Sequence, residues 1–335
     1  MSAGHRHAAY GLTIAANRPL PALGPGPEDA PPDLTIDFRA GEEPPVDPEA
    51  RDATDRHGWY STRELPDGRR AFRCAASAGA RAWSMDITPD GRRIDVRWSA
   101  AMNLDDVIAF VLTRGLAACL VLRGVPLLHA CGIVFDTRAA LVIGASGAGK
   151  STTAAAAVAG GAAILTDDMA ALTLRDDGVY VEPGARRLRL HEGTAGALGW
   201  EAAALPRVFA DEFLVAKRGV DVSVDDGTYW DRPVALGAIY VLGAREPAGP
   251  RLVALTPQEA LPLLLANTFA DDLADRERRA RLLPGWVRLA QHIPVRRVHA
   301  RDGLGAEAEL VAALAADSSR PASPFMPSSS EIRGA

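Results

Sequence analysis

The segment from Gly144 to Ser151 constrains the fold more than any other part of the chain. It reads GASGAGKS and matches the pattern G-x-x-x-x-G-K-[ST], whose glycines let backbone amides turn inward around phosphate groups. An apolar run at 139–143 precedes the loop and an alanine-rich segment at 151–158 follows it, which predicts a buried strand, a loop and a helix. We therefore expect an α/β protein with a phosphate-binding loop.

This loop contains the groups that a nucleotide and its magnesium ion require. Lys150 can reach the β- and γ-phosphates, the hydroxyl of Ser151 can ligate Mg²⁺, and the positive end of the following helix faces the phosphates. We expect ATP and Mg²⁺ as ligands; the alternative is a glycine-rich turn with an ordinary surface lysine. The residues expected to bind the nucleotide are Gly144, Ala145, Ser146, Gly147, Ala148, Gly149, Lys150, Ser151 and Thr152.

Two acidic residues are predicted to return to this loop. Gly160 and Gly161 end the helix after about ten residues, which carries the chain roughly 15 Å away. The apolar segment 162–166 can carry it roughly 16 Å back, so Asp167 and Asp168 would lie beside the nucleotide. One carboxylate could then hold Mg²⁺ while the other accepts a proton from an attacking hydroxyl. The alternative is a solvated turn in which both aspartates cap the next segment.

The order and spacing of three motifs resemble a known family. His129 within LLHA, then GASGAGKS, then ILTDD resemble the catalytic domain of the HPr kinase/phosphorylase family, which is distantly similar to ATP-dependent phosphoenolpyruvate carboxykinases. The opening of the chain and the stretch 183–190 resemble a subgroup associated with peptide-modifying gene clusters, including lasso-peptide precursor kinases. The resemblance implies a P-loop kinase domain of the HPr kinase/phosphoenolpyruvate carboxykinase type.

We expect this chain to phosphorylate a hydroxyl, with serine on a peptide or small protein as the acceptor. Ser151 and Asp168 are expected to hold the metal, and Asp167 to act as the base. The match of His129 to the family histidine implies that it tunes this base, although a strand histidine can also be a satisfied core group. Arg189 lies in a family-like Leu-Arg-Leu and could stabilise the transferred phosphoryl group or simply be solvated.

Two other functions remain open at this point. The first is a small-molecule kinase on the same scaffold, which no motif excludes. The second is a nucleotide-gated binding module, such as a peptide chaperone that holds ATP without transferring phosphate. Two retained aspartates argue against mere binding, because binding needs at most one of them.

Composition excludes several other classes. The 335 residues are 48% hydrophobic and 24% charged, and the net charge of −5 argues against general nucleic-acid binding. The three cysteines make neither a disulfide framework nor a metal-ligand pair, and no apolar stretch is long enough to span a membrane, so we expect a cytoplasmic protein. Cys131 lies near His129 and could form a nucleophile pair with it, or serve as an apolar strand residue. The sequence itself is silent on oligomeric state; kinases of the resembled family assemble into oligomers, so the resemblance allows a homo-oligomer.

The chain is predicted to have three parts. Residues 1–100 read as a small antiparallel β-rich domain, because alternating segments flank two turns of sequence Pro-Asp-Gly-Arg-Arg. Residues 101–316 would form the catalytic domain, beginning with an amphipathic helix over 103–122. A hairpin over 169–181 and a capping-box helix start at Thr256 are expected within it. The Ser- and Pro-rich tail 317–335 is expected to be disordered.

Overall fold

The computed structural model describes residues 4–41, 60–75, 82–209, 217–303 and 305–319. By its internal contacts the chain divides into two compact units. The first comprises Met1–Gly124 with Arg207–Lys217, and the second comprises Val125–Pro206 with Arg218–Ala335. None of the helices in the described ranges has the length and apolar content needed to cross a bilayer.

The first unit is built on a twisted sheet. Within the described residues, its eight strands lie in the order β3-β1-β2-β4-β8-β7-β6-β5. They are β1 (His5–Ala9), β2 (Leu12–Ala16), β3 (Gly24–Pro25), β4 (Leu34–Ala40), β5 (Ser61–Glu64), β6 (Arg70–Ala75), β7 (Ala82–Ile87) and β8 (Arg93–Trp98). Both Pro-Asp-Gly-Arg-Arg turns join neighbouring antiparallel strands, β5 to β6 and β7 to β8, as predicted.

The expectation of a purely antiparallel N-terminal sheet is wrong at one strand. β4 pairs in parallel with both β2 and β8. Alternation of apolar and polar residues is the same in parallel and antiparallel strands, so the sequence pattern could not distinguish the two. The chain before and after β4 is long enough to return it in the parallel direction, which a tight hairpin turn does not allow.

A long helical segment packs on this sheet. It comprises α1 (Leu104–Phe110), a π-helical turn at 111–115 and α2 (Leu116–Leu122), and the side chain of Asn103 caps it by accepting the amide of Asp105 at 2.8 Å. Phe110 lies 4.8 Å from Trp83 between ring centroids. The predicted helix is therefore present, but it groups with the first unit, so the boundary lies at residue 124 rather than near 100.

From Val125 onward the chain forms a mixed sheet covered by helices on both faces. The strands are β9 (Leu127–Leu128), β10 (Ala130–Phe135), β11 (Arg138–Ile143), β12 (Ala163–Thr166), β13 (Ala170–Arg175), β14 (Gly178–Val181), β15 (Arg187–His191), β16 (Lys217–Asp221), β17 (Val234–Leu242), β18 (Arg251–Ala254) and β19 (Val295–His299). The helices are α3 (Lys150–Ala159), α4 (Glu192–Ala197), α5 (Pro257–Ala266), α6 (Arg276–His292) and α7 (Ala306–Ser318).

The main sheet has the order β12-β10-β11-β17-β14-β13-β9, with β19 beside β17 and β18 beside β19, while β15 pairs with β16. β11 shows why its run of apolar residues is unbroken. Leu141 and Ile143 pack into the core that α5 and α6 cover, whereas Ala140 and Val142 pack into the core that α3 and α7 cover. A strand buried on both faces cannot alternate with polar residues.

Several local predictions are confirmed. α3 ends at Ala159, where Gly160 and Gly161 follow, and β12 then returns the chain over 163–166. β13 and β14 form the expected hairpin. Thr256 caps α5 through a reciprocal capping box with Glu259.

The start of the predicted disordered tail is helical instead. α7 extends to Ser318, and the hydroxyl of Tyr240 lies 3.0 Å from a carboxylate oxygen of Asp317 and 2.9 Å from the hydroxyl of Ser318. Tyr240 on β17 therefore anchors the last turn of the helix, and local composition does not reveal such a contact. The rest of the predicted tail, from residue 320, lies outside the described residues.

Candidate active site

Three strand ends meet at one edge of the main sheet. β10 is antiparallel to both of its neighbours, so its first residue, Ala130, lies opposite Ile143 at the end of β11. Gly132 of β10 lies opposite Thr166 at the end of β12. The residue before β10, the loop after β11 and the residues after β12 therefore share this edge. The short helix and returning strand thus bring the predicted acidic residues back to the glycine-rich loop.

The loop adopts the backbone conformation that its glycines allow. Gly144, Gly147 and Gly149 have φ angles of +149°, +81° and +105°. These values lie where side chains carrying a Cβ are disfavoured. Gly149 is also crowded, because a Cβ there would lie 2.9 Å from a guanidinium nitrogen of Arg245. The three glycines expected to allow an unusual backbone conformation in this loop do adopt one.

Lys150 is held over the loop. Its side chain is buried, and its ammonium group donates to the carbonyl oxygens of Gly144 at 2.8 Å and Ala145 at 3.1 Å. A lysine charge placed on the concave side of a loop of amides can neutralise a bound phosphate.

Cys131 does not behave as a nucleophile in this arrangement. Its Sγ lies 3.1 Å from the carbonyl oxygen of Lys150, and burial raises the pKa of the thiol above its ordinary value. A buried, protonated thiol is inert, since the thiolate is the reactive form. The alternative role of an apolar strand residue is the one that this geometry supports.

Asp167 is bound tightly to the loop and to β15. One carboxylate oxygen accepts the hydroxyl of Ser151 at 2.9 Å, and the other accepts the backbone amide of Arg189 at 2.9 Å. Asp167 as a whole is only 5% exposed to solvent. Both oxygens are therefore committed to neighbours, and the carboxylate has little access to a substrate hydroxyl.

The side chain of Asp168 contacts His129 and the guanidinium group of Arg189. Asp168 has a φ of +75°, which aspartate tolerates better than most residues with a Cβ. One of its carboxylate oxygens lies 3.3 Å from Nε2 of His129 and the other lies 3.5 Å from a guanidinium nitrogen of Arg189. Its side chain is 29% exposed. The predicted pairs were Ser151 with Asp168 and His129 with Asp167; the structure has the opposite pairs, because the left-handed residue separates the directions of the two side chains.

His129 interrupts the predicted strand 127–135. Its backbone amide donates to the carbonyl oxygen of Asn267 at 2.7 Å. It lies between β9, which pairs with β13, and β10, which pairs with β11 and β12. Its ring lies edge-on to Phe269, with ring centroids 5.5 Å apart. The break directs the imidazole toward Asp168 while the strands on either side continue.

The oxygen donors at the site suit magnesium. Among the described residues, no group of three or more His, Cys, Asp or Glu side chains is arranged to hold a metal ion by itself. The Ser151 hydroxyl and the Asp167 carboxylate are adjacent hard oxygen donors. Mg²⁺ is usually bound by one or two protein oxygens together with waters and substrate phosphates. The residues present therefore fit a magnesium ion that arrives with a nucleotide, with Asp167 rather than Asp168 beside Ser151.

No protein-family model matches the chain, and no curated protein matches it. Among solved structures, the chain is similar to the HPr(Ser) kinase/phosphatase from Coxiella burnetii. The two are 13% identical over 57% of this chain and 94% of that chain, with a TM-score of 0.30. At this identity and TM-score the match carries no inference about the fold or the activity of this chain.

Two residues at the site were missed by the sequence analysis. The side-chain oxygen of Asn267 accepts the backbone amide of Gly144 at 3.0 Å, across 123 residues of sequence. The backbone carbonyl oxygen of Asn267 accepts the backbone amide of His129. Arg245 donates to the carbonyl oxygen of Ala148 at 3.3 Å. Arg245 closely follows β17, the parallel neighbour of β11, so knowledge of the strand order would have placed it here. No sequence signal identifies Asn267.

The arginines between 275 and 301, which could have formed a basic docking face, are largely paired with acids. These pairs are Arg278 with Asp275, Arg279 with Asp271, Arg281 with Glu277, Arg296 with Asp317 and Arg301 with Glu309. This part of the surface is therefore closer to an ordinary salt-bridged face than to an uncompensated positive patch.

Proposed function

We propose that this protein is an ATP- and Mg²⁺-dependent kinase that phosphorylates a serine hydroxyl on a peptide or small protein. The observation that carries the proposal is the 2.9 Å hydrogen bond between Ser151 and Asp167. It joins the first turn of the helix after the glycine-rich loop to the end of the strand that returns from it. Two carboxylates would therefore lie next to the phosphates of a nucleotide bound by the loop.

The loop and its neighbours would bind the nucleotide. Backbone amides of 144–151 and the charge of Lys150 would neutralise the phosphates, and the exposed Arg245 adds a second cation at the loop. Ser151 and Asp167 would hold Mg²⁺, which when bound neutralises charge on the β- and γ-phosphates. Asn267 would keep the start of the loop in register with His129.

Asp168 is the proposed base. It is the more exposed of the two aspartates, and its carboxylate has His129 on one oxygen and Arg189 near the other. In the transfer, the serine proton passes to Asp168 as the serine oxygen bonds to the γ-phosphorus, and the bond to the β-phosphate oxygen breaks to release ADP. His129 would orient the carboxylate, and the guanidinium of Arg189 would offset negative charge on the transferred group.

The test uses γ-labelled ATP, Mg²⁺, serine peptides of about ten residues and a pool of hydroxyl-bearing metabolites. We expect label on peptide serine. Asp168→Asn should lower kcat by about 10²- to 10⁴-fold with little change in the Kd for MgATP, because it removes only a proton acceptor. Asp167→Asn should instead weaken MgATP binding and raise the Mg²⁺ requirement.

Asp177→Asn, at an exposed hairpin turn where Asp177 contacts Tyr180, is the matched control and should leave both quantities unchanged. Unchanged turnover in Asp168→Asn would remove the proposed base. Label found only on metabolites would indicate a small-molecule kinase, and tight ATP binding without any transfer would indicate a nucleotide-holding module.

A further inference from the structure

A wide groove on the second unit adjoins the candidate active site through Thr152. Its volume is about 1200 Å³, and its walls are α3, α4, α7 and the loop at 224–232. Sites for small molecules usually measure about 300 to 1,000 Å³. A groove larger than this range suits a polypeptide segment better than a compact metabolite.

Two walls of the groove begin at the candidate active site. α3 contributes Thr152, which directly follows Ser151, and lines the groove as far as Gly161. At about 1.5 Å per helical residue this is a length of roughly 14 Å, enough for about four extended residues. β15 carries Arg189 and leads into α4, which contributes Gly193 and Thr194. A polypeptide lying along α3 would therefore have one end near Ser151 and Arg189.

The lining is apolar and made mostly of small side chains. Ala156 and Ala159 of α3 face alanines of α7, including Ala308 and Ala312. Val224 on the loop is 42% exposed. Small side chains let a bound backbone approach closely and leave room for its side chains.

The charges at the groove are predominantly negative. Asp136, Asp231 and Glu307 line it, against one arginine, Arg232. Arg232 lies 3.8 Å from Asp231 and over the ring of Trp230, so the charges of Arg232 and Asp231 partly offset each other. Asp136 and Glu307 then leave the lining net negative. A partner with basic side chains would meet complementary charge here, whereas an acidic one would be repelled.

We propose that this groove binds an extended segment of the acceptor polypeptide that has small or apolar side chains and at least one lysine or arginine. The segment would hold a neighbouring serine close to Asp168. This inference rests on the proposed kinase function, but the binding of the segment does not require phosphate transfer, so the two can be tested separately.

The test measures binding by fluorescence anisotropy, without ATP, to the full chain. The probes are two labelled peptides of about ten residues, rich in alanine and valine around one serine, one with two arginines and one with two glutamates. Ala312→Trp fills the groove from the exposed face of α7, and Ala316→Trp places the same side chain on α7 outside the groove. A parallel titration with ATP and a thermal melt of each variant report on the nucleotide site and on folding.

We expect the basic peptide to bind better than the acidic one, and Ala312→Trp to weaken it about tenfold or more while Ala316→Trp does not. Glu307→Lys should reverse the preference between the two peptides, whereas Glu309→Lys, outside the groove, should not. ATP affinity should be the same in all four variants.

Equal binding by Ala312→Trp and Ala316→Trp, a preference for the acidic peptide, or no binding of either peptide would overturn the proposal. Tighter peptide binding after deletion of residues 320–335 would assign the groove to the chain's own C-terminal segment. Loss of self-association in Ala312→Trp would assign the groove to a second copy of the chain. Either result would also overturn the proposal. Peptide binding in the groove without label transfer would support the groove and refute the kinase.

Discussion

Replacement of Asp167 by alanine should destabilise the second unit far more than replacement of Asp168 by asparagine. Asp167 is 5% exposed and accepts two hydrogen bonds, from the Ser151 hydroxyl and from the Arg189 amide, each of 2.9 Å. The hydroxyl can rotate to another partner, but the amide is fixed by β15 and would lose its acceptor. An orphaned buried donor costs about 1–3 kcal/mol and a lost hydrogen bond about 1 kcal/mol. We expect the free energy of unfolding to fall by about 3 kcal/mol.

Two further substitutions test this reasoning. Asp167→Asn keeps a carbonyl oxygen for the Arg189 amide and can donate to the Ser151 oxygen, so it should cost only about 1 kcal/mol. Asparagine tolerates the positive φ of position 168, and the partners of Asp168 are partly exposed to water. Asp168→Asn should therefore lower the free energy of unfolding by less than about 1 kcal/mol.

The measurement is urea denaturation at neutral pH without nucleotide or metal. Circular dichroism and tryptophan fluorescence both follow the two units, because each unit contains three of the six tryptophans. Equal destabilisation by Asp167→Ala and Asp168→Asn, or no recovery in Asp167→Asn, would refute the assignment of Asp167 to the loop. That result would also remove the basis for placing the base on Asp168.

Three further outcomes follow from the structure. Arg245→Ala should raise the Kd for ATP about three- to tenfold and reduce the salt dependence of binding, because an exposed cation beside Ala148 is lost. Arg251, which is also exposed, is the control: if Arg251→Ala weakens ATP binding equally, the effect is not local to the loop. A thiol reagent at pH 8 should spare Cys131 and Cys119 until the chain unfolds but modify the partly exposed Cys74. Burial raises the pKa of Cys131, so the unfolded thiol ionises first as pH rises through 9.0. Stability should therefore fall above that pH, and fall less in Cys131→Ala; rapid labelling of native Cys131 would contradict this.

Local sequence determined much of the backbone. Gly160 and Gly161 end α3, and the apolar segment after them returns the chain to the loop over the expected distance. The capping box at Thr256 and the hairpin turns are likewise properties of a few neighbouring residues. Such features are predictable because backbone dihedral preferences and hydrophobic periodicity act over short distances along the chain.

The partners of each side chain were decided only by the tertiary structure. Both aspartates were expected at the loop, but the left-handed backbone of Asp168 and the Arg189 amide determine that Asp167 faces Ser151 and Asp168 faces His129. Asn267 reaches the loop because α5 ends beside β9, more than a hundred residues later in sequence. Strand order and direction bring such residues together, and neither quantity is encoded in a local pattern of hydrophobic and polar residues.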